Sequence, residues 1–170
     1  PYWEQAHSIP RVITIKDDRL WQEPIPELQS LRYDRQSGTH EMLSADKPVP
    51  QLSLRGDALE IIVAFDRGAA KRCGLIVRAN NRGEGTKIWV SAGDMFGIEG
   101  CGNTHFLKED DPAVLHVFVD RGVIEVYCNG VAVTHKSFAP ADGIGVTAFS
   151  EGGVAILKTL EAWKMKSMWE

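Results

Sequence analysis

Glu125 stands among apolar residues of a β-prone run, where a carboxylate has to be neutralised. It shares strand parity with Val123 and Tyr127, which predicts that the three side chains lie on one sheet face. Because an unpaired buried charge costs several kcal/mol, Glu125 requires a cation, and Arg78 and Arg121 are the candidates. One interpretation is therefore an ion pair that stabilises the face of a sheet.

The second interpretation of this segment is a carbohydrate site. Sugars are held by charge-assisted hydrogen bonds from acids and arginines, together with the apolar face of an aromatic ring. Tryptophan and tyrosine also serve as core and interface residues, so both interpretations stay open. The candidate carbohydrate-binding residues are Arg78, Trp89, Asp120, Glu125 and Tyr127, with Trp21 as a further aromatic candidate.

Residue patterns for other chemistries are missing from the sequence. The five histidines include no H-x-x-x-H pair and the three cysteines no C-x-x-C pair, so we expect no metal site. Gly143-Ile144-Gly145 precedes a predicted strand instead of a helix, and no serine lies in a G-x-S-x-G elbow. We therefore expect no catalytic residue and no cofactor. Cys73, Cys101 and Cys128 are predicted to be buried free thiols, with one disulfide as the open alternative.

Composition limits the class of protein. The 170 residues suit one domain, and 44% hydrophobic with 25% charged residues is typical of a globular chain. A formal charge of -4 indicates no basic surface for nucleic acid, and no apolar run approaches the roughly 20 residues that cross a bilayer. The first ten residues lack the pattern of a signal peptide, and the chain begins without Met, as an excised piece would. We expect neither nucleic acid nor a membrane as a partner.

Alternating apolar residues predict short strands. Residues 59–65 have a period of two, with every second side chain, from Leu59 to Phe65, directed at a core. Residues 73–78 and 87–91 are further β-prone runs, and the Asn- and Gly-rich segment between them favours a turn. We predict that these two runs pair as neighbours.

A three-stranded antiparallel meander is predicted over residues 115–138. The runs LHVFV, VIEVYC and VAVTHKSF are divided by Asp120-Arg121-Gly122 and by Asn129-Gly130. An Asn-Gly pair between β-rich runs favours a type I′ hairpin, because both central residues must accept positive φ. Two further strands are predicted at 145–150 and 154–165, and one short helix at 26–32.

The spacing of these elements predicts the fold class. Many short strands with Gly- and Asn-containing turns, and no alternation with long helices, are typical of two packed antiparallel sheets. The fold is therefore predicted to be all-β, a two-sheet antiparallel β-sandwich of the concanavalin A-like jelly-roll type.

Two stretches of the chain carry a recognisable family pattern. The first is SIPRVITI at residues 8–15, followed by LWQEPIPEL at 20–28. The second runs from Leu115 through VIEVY at 123–127 and Asn129-Gly130 to FSEGG at 149–153, ending at Trp163 and Trp169. Both resemble glycoside hydrolase family 32, the invertases, inulinases and levanases. By this resemblance residues 1–33 correspond to the end of a catalytic β-propeller with its linker, and residues 34–170 to the C-terminal β-sandwich.

The resemblance implies a chain that lacks catalytic machinery of its own. Retaining glycosidases need two carboxyl groups about 5–5.5 Å apart. In this family they belong to W-M-N-D-P-N and E-C motifs of the propeller, and neither motif occurs here. The chain is thus expected to be an accessory module that stabilises or docks on a propeller of the same or a companion chain. The alternatives are a module that binds levan, inulin or fructose, and a fragment of an active β-fructofuranosidase.

The resemblance also implies a partner for the N-terminal segment. Apolar residues within 3–15 are expected to form one exposed strand taken from the propeller. An unpaired apolar edge invites association, so in an isolated chain this strand would be mobile or would pair with a second copy. A homo-oligomer formed through the N-terminal segment is therefore a further prediction.

Overall fold

The structure, a computed structural model, describes residues 7–44, 52–105, 113–137 and 142–168. Predictions that concern Trp3, Phe138 and Trp169 lie outside these residues. Within them the chain forms one 3₁₀ helix, Pro26–Leu31, where the sequence predicts a short helix, and otherwise strands and turns. The strands are β1 (Arg11–Lys16), β2 (Arg19–Pro24), β3 (Arg32–Leu43), β4 (Leu52–Arg55), β5 (Ala58–Asp66), β6 (Arg72–Ala79), β7 (Thr86–Ser91), β8 (Met95–Ile98), β9 (Gly102–His105), β10 (Ala113–Asp120), β11 (Val123–Cys128), β12 (Val131–Lys136), β13 (Gly145–Glu151) and β14 (Ala155–Met165).

The strands assemble into two packed sheets and one hairpin. Over the described ranges the first sheet has six strands in the order β12-β11-β10-β5-β14-β3, and the second has six in the order β4-β13-β6-β7-β8-β9. Strands β1 and β2 form a separate two-stranded hairpin. All of these pairings are antiparallel. The predicted all-β, two-sheet sandwich is confirmed.

Apolar residues at every second position of the strands form the core between the two sheets. Every second residue of β5 from Leu59 to Phe65 is buried, as the period of two predicts. They meet apolar side chains of the second sheet, and together they form one cluster that excludes water. The second-sheet members of this cluster include Leu54, Cys73, Leu75, Val77, Ile88, Val90, Phe96, Ile98, Val146 and Ala148.

The predicted pairings of neighbouring strands are also present. β6 pairs with β7, with Cys73 opposite Val90, and β10, β11 and β12 form the predicted meander. At the turn between β11 and β12, Asn129 has φ 44° and Gly130 has φ 80°, both in the left-handed region. The Asn-Gly pair thus makes the positive-φ hairpin turn that its composition favours.

Three of the strands that alternation did not predict lie at sheet edges. β3 closes the first sheet, and β4 and β9 close the second. The sequence of β3, RYDRQSGTHEML, is mostly polar, so it has no apolar period to detect. Edge strands are held by main-chain hydrogen bonds to one neighbour, and these bonds leave no signature in side-chain polarity.

All three cysteines are free thiols, so the disulfide alternative is wrong. Cys73 and Cys128 are buried in the core, and burial raises the pKa of each thiol to about 12. Cys101 is exposed, in the turn before β9, which corrects the prediction that all three are buried. Its Sγ lies 3.4 Å from the carbonyl oxygen of Thr134 in the first sheet.

The N-terminal segment differs from the predicted single strand. β1 pairs along its whole length with β2, from Arg11 opposite Pro24 to Lys16 opposite Arg19. The turn between them places Asp17 and Asp18 at φ 50° and 59°, a conformation that aspartate tolerates better than most residues. One edge of β1 therefore finds its main-chain partner within this chain, and association with a second copy stays a prediction.

Candidate functional site on the outer face of the first sheet

A row of side chains crosses the outer face of the first sheet, away from the sandwich core. Glu60 of β5, Phe118 of β10 and Glu125 of β11 are direct cross-strand neighbours, and Trp163 of β14 lies beside Glu60. Their side chains point to the opposite side of the sheet from the core residues. Two packed sheets alone would therefore leave them exposed to water. They are nevertheless buried, with Glu60 1% and Glu125 0% exposed. A second layer of structure must therefore cover this face.

Arg11 of the hairpin neutralises Glu125. Its Nε donates to Glu125 Oε1 at 2.8 Å, and a terminal guanidinium nitrogen donates to the same oxygen. The amide of Ile9 donates to Oε2 at 2.9 Å, and the Tyr127 hydroxyl donates to Oε1 at 2.9 Å. Burial and the charge of Glu125 raise the pKa of Tyr127, so its phenol stays protonated and keeps this donor. The carboxylate is thus fully hydrogen-bonded without solvent.

Arg32, at the end of the 3₁₀ helix, neutralises Glu60 in the same way. Its Nε donates to Oε2 at 2.7 Å and a terminal nitrogen to Oε1 at 2.6 Å, a bidentate pair. The Nε2 atom of His116 lies 2.7 Å from Oε1, and the guanidinium carbon of Arg32 lies 4.1 Å from the centre of the Trp163 ring. Burial acts to raise the pKa of Glu60, but the hydrogen bonds from Arg32 and His116 outweigh it, and the net pKa is lowered.

The lowered pKa of Glu60 predicts a pH-dependent stability. A carboxylate with a lowered folded pKa stabilises the fold above its unfolded pKa of about 4.3, and this contribution is lost as the pH falls through the folded value. We expect Glu60→Gln to be about 2 kcal/mol less stable than the unmodified chain at neutral pH, with the difference shrinking below about pH 4. Urea unfolding of both proteins from neutral pH to about pH 3 measures this.

The control for this prediction is Glu161→Gln, because Glu161 pairs with Arg35 in solvent, with side chains 42% and 60% exposed. It should change the free energy of unfolding by less than about 1 kcal/mol. A stability difference between the unmodified chain and Glu60→Gln that stays constant with pH would contradict the lowered pKa of Glu60.

The hairpin also packs against the turn between β11 and β12. The amide of Gln22 donates to the carbonyl oxygen of Gly130 at 2.8 Å. The Trp21 ring lies directly over Gly130, and a Cβ built on that glycine would be 2.2 Å from the ring. Lys16 Nζ lies 4.3 Å from the centre of the same ring, a cation–π contact. Only a glycine at 130 permits this close packing.

A cavity of about 530 Å³ lies between the N-terminal segment and the outer face of the first sheet. Apolar and aromatic groups make up most of its wall, including Val12, Trp21, Pro24 and Phe118. Its polar lining includes Gln22, Arg32, Glu60, His116 and Asn129. The cavity has the mixed lining and the size typical of small-molecule sites.

The predicted partner of Glu125 is wrong, because neither Arg78 nor Arg121 pairs with it. Arg78 lies at a bulge in β6 with φ 55°, and its guanidinium donates to the carbonyl oxygens of Ser137 and Val123. Burial lowers the pKa of Arg78, although the nearby charges of Asp120 and Asp57 oppose this effect. Arg78 therefore connects the ends of the two sheets.

The structure places the five candidate carbohydrate-binding residues at three separate positions, two pairs and one single residue. Glu125 and Tyr127 share the covered face of the first sheet and are joined by a hydrogen bond. Arg78 and Asp120 are near each other at a strand end. Trp89 is buried in β7 of the second sheet, with the guanidinium carbon of Arg72 4.5 Å from its ring centre. The proposed five-residue cluster does not form one surface, and sugar binding by these residues stays a prediction.

Sequence reasoning missed the residues that complete the site. Arg11, Arg32, Glu60 and His116 carry ordinary polar side chains at positions where a solvent-facing residue is expected. The available signal was indirect, since Arg11 lies in the SIPRVITI stretch that resembles the family. Only the packing of the hairpin on the sheet shows that Arg11 contacts Glu125, which lies 114 residues further along the chain.

Neither a metal-binding cluster nor a membrane-spanning helix is present among the described residues. Nowhere in these ranges do three or more histidine, cysteine, aspartate or glutamate side chains come close enough together to hold a metal ion. No helix among the described residues has the length and apolar character needed to cross a membrane.

Comparison with known proteins identifies the fold and the family. The two stacked antiparallel sheets define a β-sandwich domain. The family "Glycosyl hydrolases family 32 C terminal" matches residues 27–164, and the chain belongs to this family. The family recognition made from the sequence is confirmed.

Relatives of known name are longer than this chain. A sucrose-6-phosphate hydrolase from Zymomonas mobilis is 20% identical over 96% of this chain and 35% of its own length. One from Vibrio alginolyticus is 30% identical over 75% of this chain and 26% of its own length. The structure superposes on exo-inulinase from Aspergillus awamori with a TM-score of 0.82, at 19% identity, over 95% of this chain and 36% of that one. The chain thus spans between about a quarter and about a third of the length of these relatives.

Proposed function

We propose that this chain is the non-catalytic accessory β-sandwich of a fructan- or sucrose-cleaving glycoside hydrolase, and that it docks on and stabilises the catalytic propeller. The relatives that it matches are named for hydrolysis of sucrose 6-phosphate or inulin, and it covers only about a third of each. The remaining two thirds of such a protein would carry the catalytic part. We therefore assign catalysis to the propeller, and the stabilisation of that propeller to this chain.

An exposed apolar surface on the hairpin carries this proposal. Ile13, Ile15 and Leu20 lie on one face of the hairpin, since Ile15 pairs with Leu20 and alternate residues share a face. Their side chains are 60%, 77% and 58% exposed. Contiguous exposed apolar residues mark interaction surfaces in soluble proteins. The family's propeller, which precedes this segment, is the partner that the surface fits.

The hydrogen bonds that attach the hairpin to the first sheet support the same proposal. Arg11 and Gln22 are bonded to the first sheet, while Ile13 pairs with Gln22 and the Ile15–Leu20 pair lies next to the turn of the hairpin. A docking surface held at a fixed angle loses little conformational entropy when the partner binds. The hairpin would thus set the orientation of the sandwich on the propeller.

The two buried carboxylates support a non-catalytic assignment. Glu60 and Glu125 lie on strands two apart, so their backbones are about 9–10 Å apart at the usual strand spacing. Each accepts hydrogen bonds from an arginine. A general acid needs a raised pKa, whereas the pKa of Glu60 is lowered. These groups are suited to structure and poorly suited to proton transfer.

The test joins this chain to the propeller that accompanies it in its own genome, as one polypeptide or as two. We expect the propeller's fructose-releasing activity to survive to a higher temperature with the sandwich present. The triple variant I13S/I15S/L20S should lose this protection, while Val154→Ser, an exposed apolar residue before β14, should keep it. Equal protection by the triple variant would refute docking through the hairpin.

A second assay tests the non-catalytic assignment separately. The chain alone, incubated with sucrose or inulin, is expected to release no fructose. Release of fructose by the purified chain would overturn the assignment and would favour the alternative of an active β-fructofuranosidase fragment.

A further inference from the structure

We propose that Asn129 is a modification site, at which spontaneous deamidation is controlled by the packing of the β1–β2 hairpin on the first sheet. Asn129 is followed by Gly130 in the turn between β11 and β12. None of the other three asparagines of the sequence precedes a glycine. The site belongs to the chain by itself and is independent of the docking on a propeller proposed above.

The reaction needs only these two residues and water. The main-chain nitrogen of Gly130 attacks Cγ of Asn129, so that a new N–Cγ bond forms and the Cγ–Nδ2 bond breaks. The amide nitrogen takes up the proton that the main-chain nitrogen loses, and it leaves as ammonia. Water then opens the cyclic imide and produces aspartate or isoaspartate at position 129. Glycine favours the first step because it has no Cβ to hinder ring closure.

The hairpin covers the reacting groups. Nδ2 of Asn129 is shielded from solvent, and the Trp21 ring lies so close to Gly130 that a Cβ would not fit there. The amide of Gln22 also donates to the carbonyl oxygen of Gly130 at 2.8 Å, which fixes the main chain of the turn. Ring closure requires this main chain to rotate and ammonia to leave. The packed hairpin therefore opposes the reaction.

Lifting of the hairpin removes this protection. Nδ2 of Asn129 has no hydrogen-bond partner among the residues that the structure describes, so no such bond holds the amide once Trp21 moves away. Local opening that is fast relative to the chemistry acts as a pre-equilibrium. The rate of deamidation should therefore be proportional to the fraction of chains in which the hairpin is detached.

The product should keep the hairpin detached. An aspartate is ionised at neutral pH, and repacking would enclose its charge beneath Trp21, on the cavity that Glu23 also lines. Burial of an unpaired charge is strongly unfavourable. The turn itself tolerates aspartate, since residue 129 has φ 44° and aspartate accepts the left-handed region. Deamidation would thus act as an irreversible switch on the attachment of the hairpin.

The experiment follows deamidation at Asn129 by mass spectrometry of proteolytic peptides after incubation of the folded chain at neutral pH. The chain unfolded in urea gives the unprotected rate. We expect Arg11→Met, which removes the counter-ion of Glu125, to deamidate at least about tenfold faster than the unmodified chain. Trp21→Ala, which removes the cover directly, should also be faster. The matched control, Arg35→Met at the surface, should leave the rate unchanged.

A second measurement tests the effect of the product. Asn129→Asp reproduces the charge of the deamidated chain, and we expect trypsin to cleave it after Arg19 about three- to tenfold faster than the unmodified chain. The control is Asn81→Asp, which adds the same charge at an exposed position of the β6–β7 loop. Its cleavage rate should equal that of the unmodified chain.

Equal deamidation rates in the folded and the unfolded chain would overturn the proposal, and so would equal rates in Arg11→Met and Arg35→Met. Equal trypsin cleavage of the two aspartate variants would overturn the switch. The thiol of Cys73, which is 0% exposed in the core, distinguishes local from global opening. It should stay unreactive towards a thiol reagent while Asn129 deamidates. Reaction of both groups at the same rate would mean that the whole sandwich unfolds and that the hairpin has no separate role.

Discussion

Replacing Arg11 with methionine is expected to lower the free energy of unfolding by about 3–5 kcal/mol. Arg11 is the cation that faces Glu125, whose side chain is 0% exposed. Methionine fills a similar volume but leaves the carboxylate buried without its counter-ion, and such a charge is far costlier than a missing contact. Urea unfolding at neutral pH measures the loss, and limited trypsin digestion reports whether the hairpin detaches.

The matched control for this prediction is Arg35→Met. Arg35 pairs with Glu161 at the surface, where the two side chains are 60% and 42% exposed. Water solvates Glu161 when its partner is removed, so the expected cost is below about 1 kcal/mol. Losses of equal size in the two variants would show that the Arg11 pair is no more important than a surface ion pair.

Gly130→Ala is expected to destabilise the chain by about 2–3 kcal/mol and to release the hairpin from the first sheet. Two effects add at this position. Gly130 has φ 80°, which strains any residue with a Cβ, and the new Cβ would lie 2.2 Å from the Trp21 ring. Because the ring must move, the hydrogen bond from Gln22 to residue 130 should also weaken.

Gly93→Ala separates the two effects at Gly130. Gly93 has φ 79°, but nothing lies within 4 Å of the position that its Cβ would take. It should therefore cost only the backbone strain, about 1 kcal/mol. Thermal unfolding of both variants and the rate of trypsin cleavage after Arg19 provide the comparison. A Gly130→Ala chain as stable as Gly93→Ala would mean that Trp21 is not packed on this turn.

Both predictions treat the N-terminal segment as part of the folded unit. Arg11 and Arg32 each bring a charge to the first sheet, and Gln22 bonds to the turn after β11. The boundary predicted after residue 33 falls inside β3, two residues after the strand begins. The origin of residues 1–33 as the end of a propeller stays a prediction.

The sandwich architecture could be predicted because its signals are local. The period of two in β5 identifies a strand with one buried face, and the Asn129-Gly130 pair identifies the hairpin between β11 and β12. Each of these signals depends on neighbouring residues alone. The polar edge strand β3 and the pairing of β1 with β2 lacked such a signal.

The site on the first sheet could be predicted only in part. The sequence indicated that Glu125 would need a cation and that Tyr127 would lie near it, and both features are present. It also suggested Arg78 or Arg121 as the cation. The actual partner, Arg11, lies on a separate hairpin that covers the sheet from outside.

By itself the sequence determined the fold class, the family and the requirement that a carboxylate on β11 be neutralised, since polarity patterns and turn residues act over a few positions. The tertiary structure alone decided which arginine meets which glutamate, and that a cavity remains between the hairpin and the sheet. The physical reason is that burial of Glu60 and Glu125 arises from packing between distant segments. No local rule states which face a hairpin will cover.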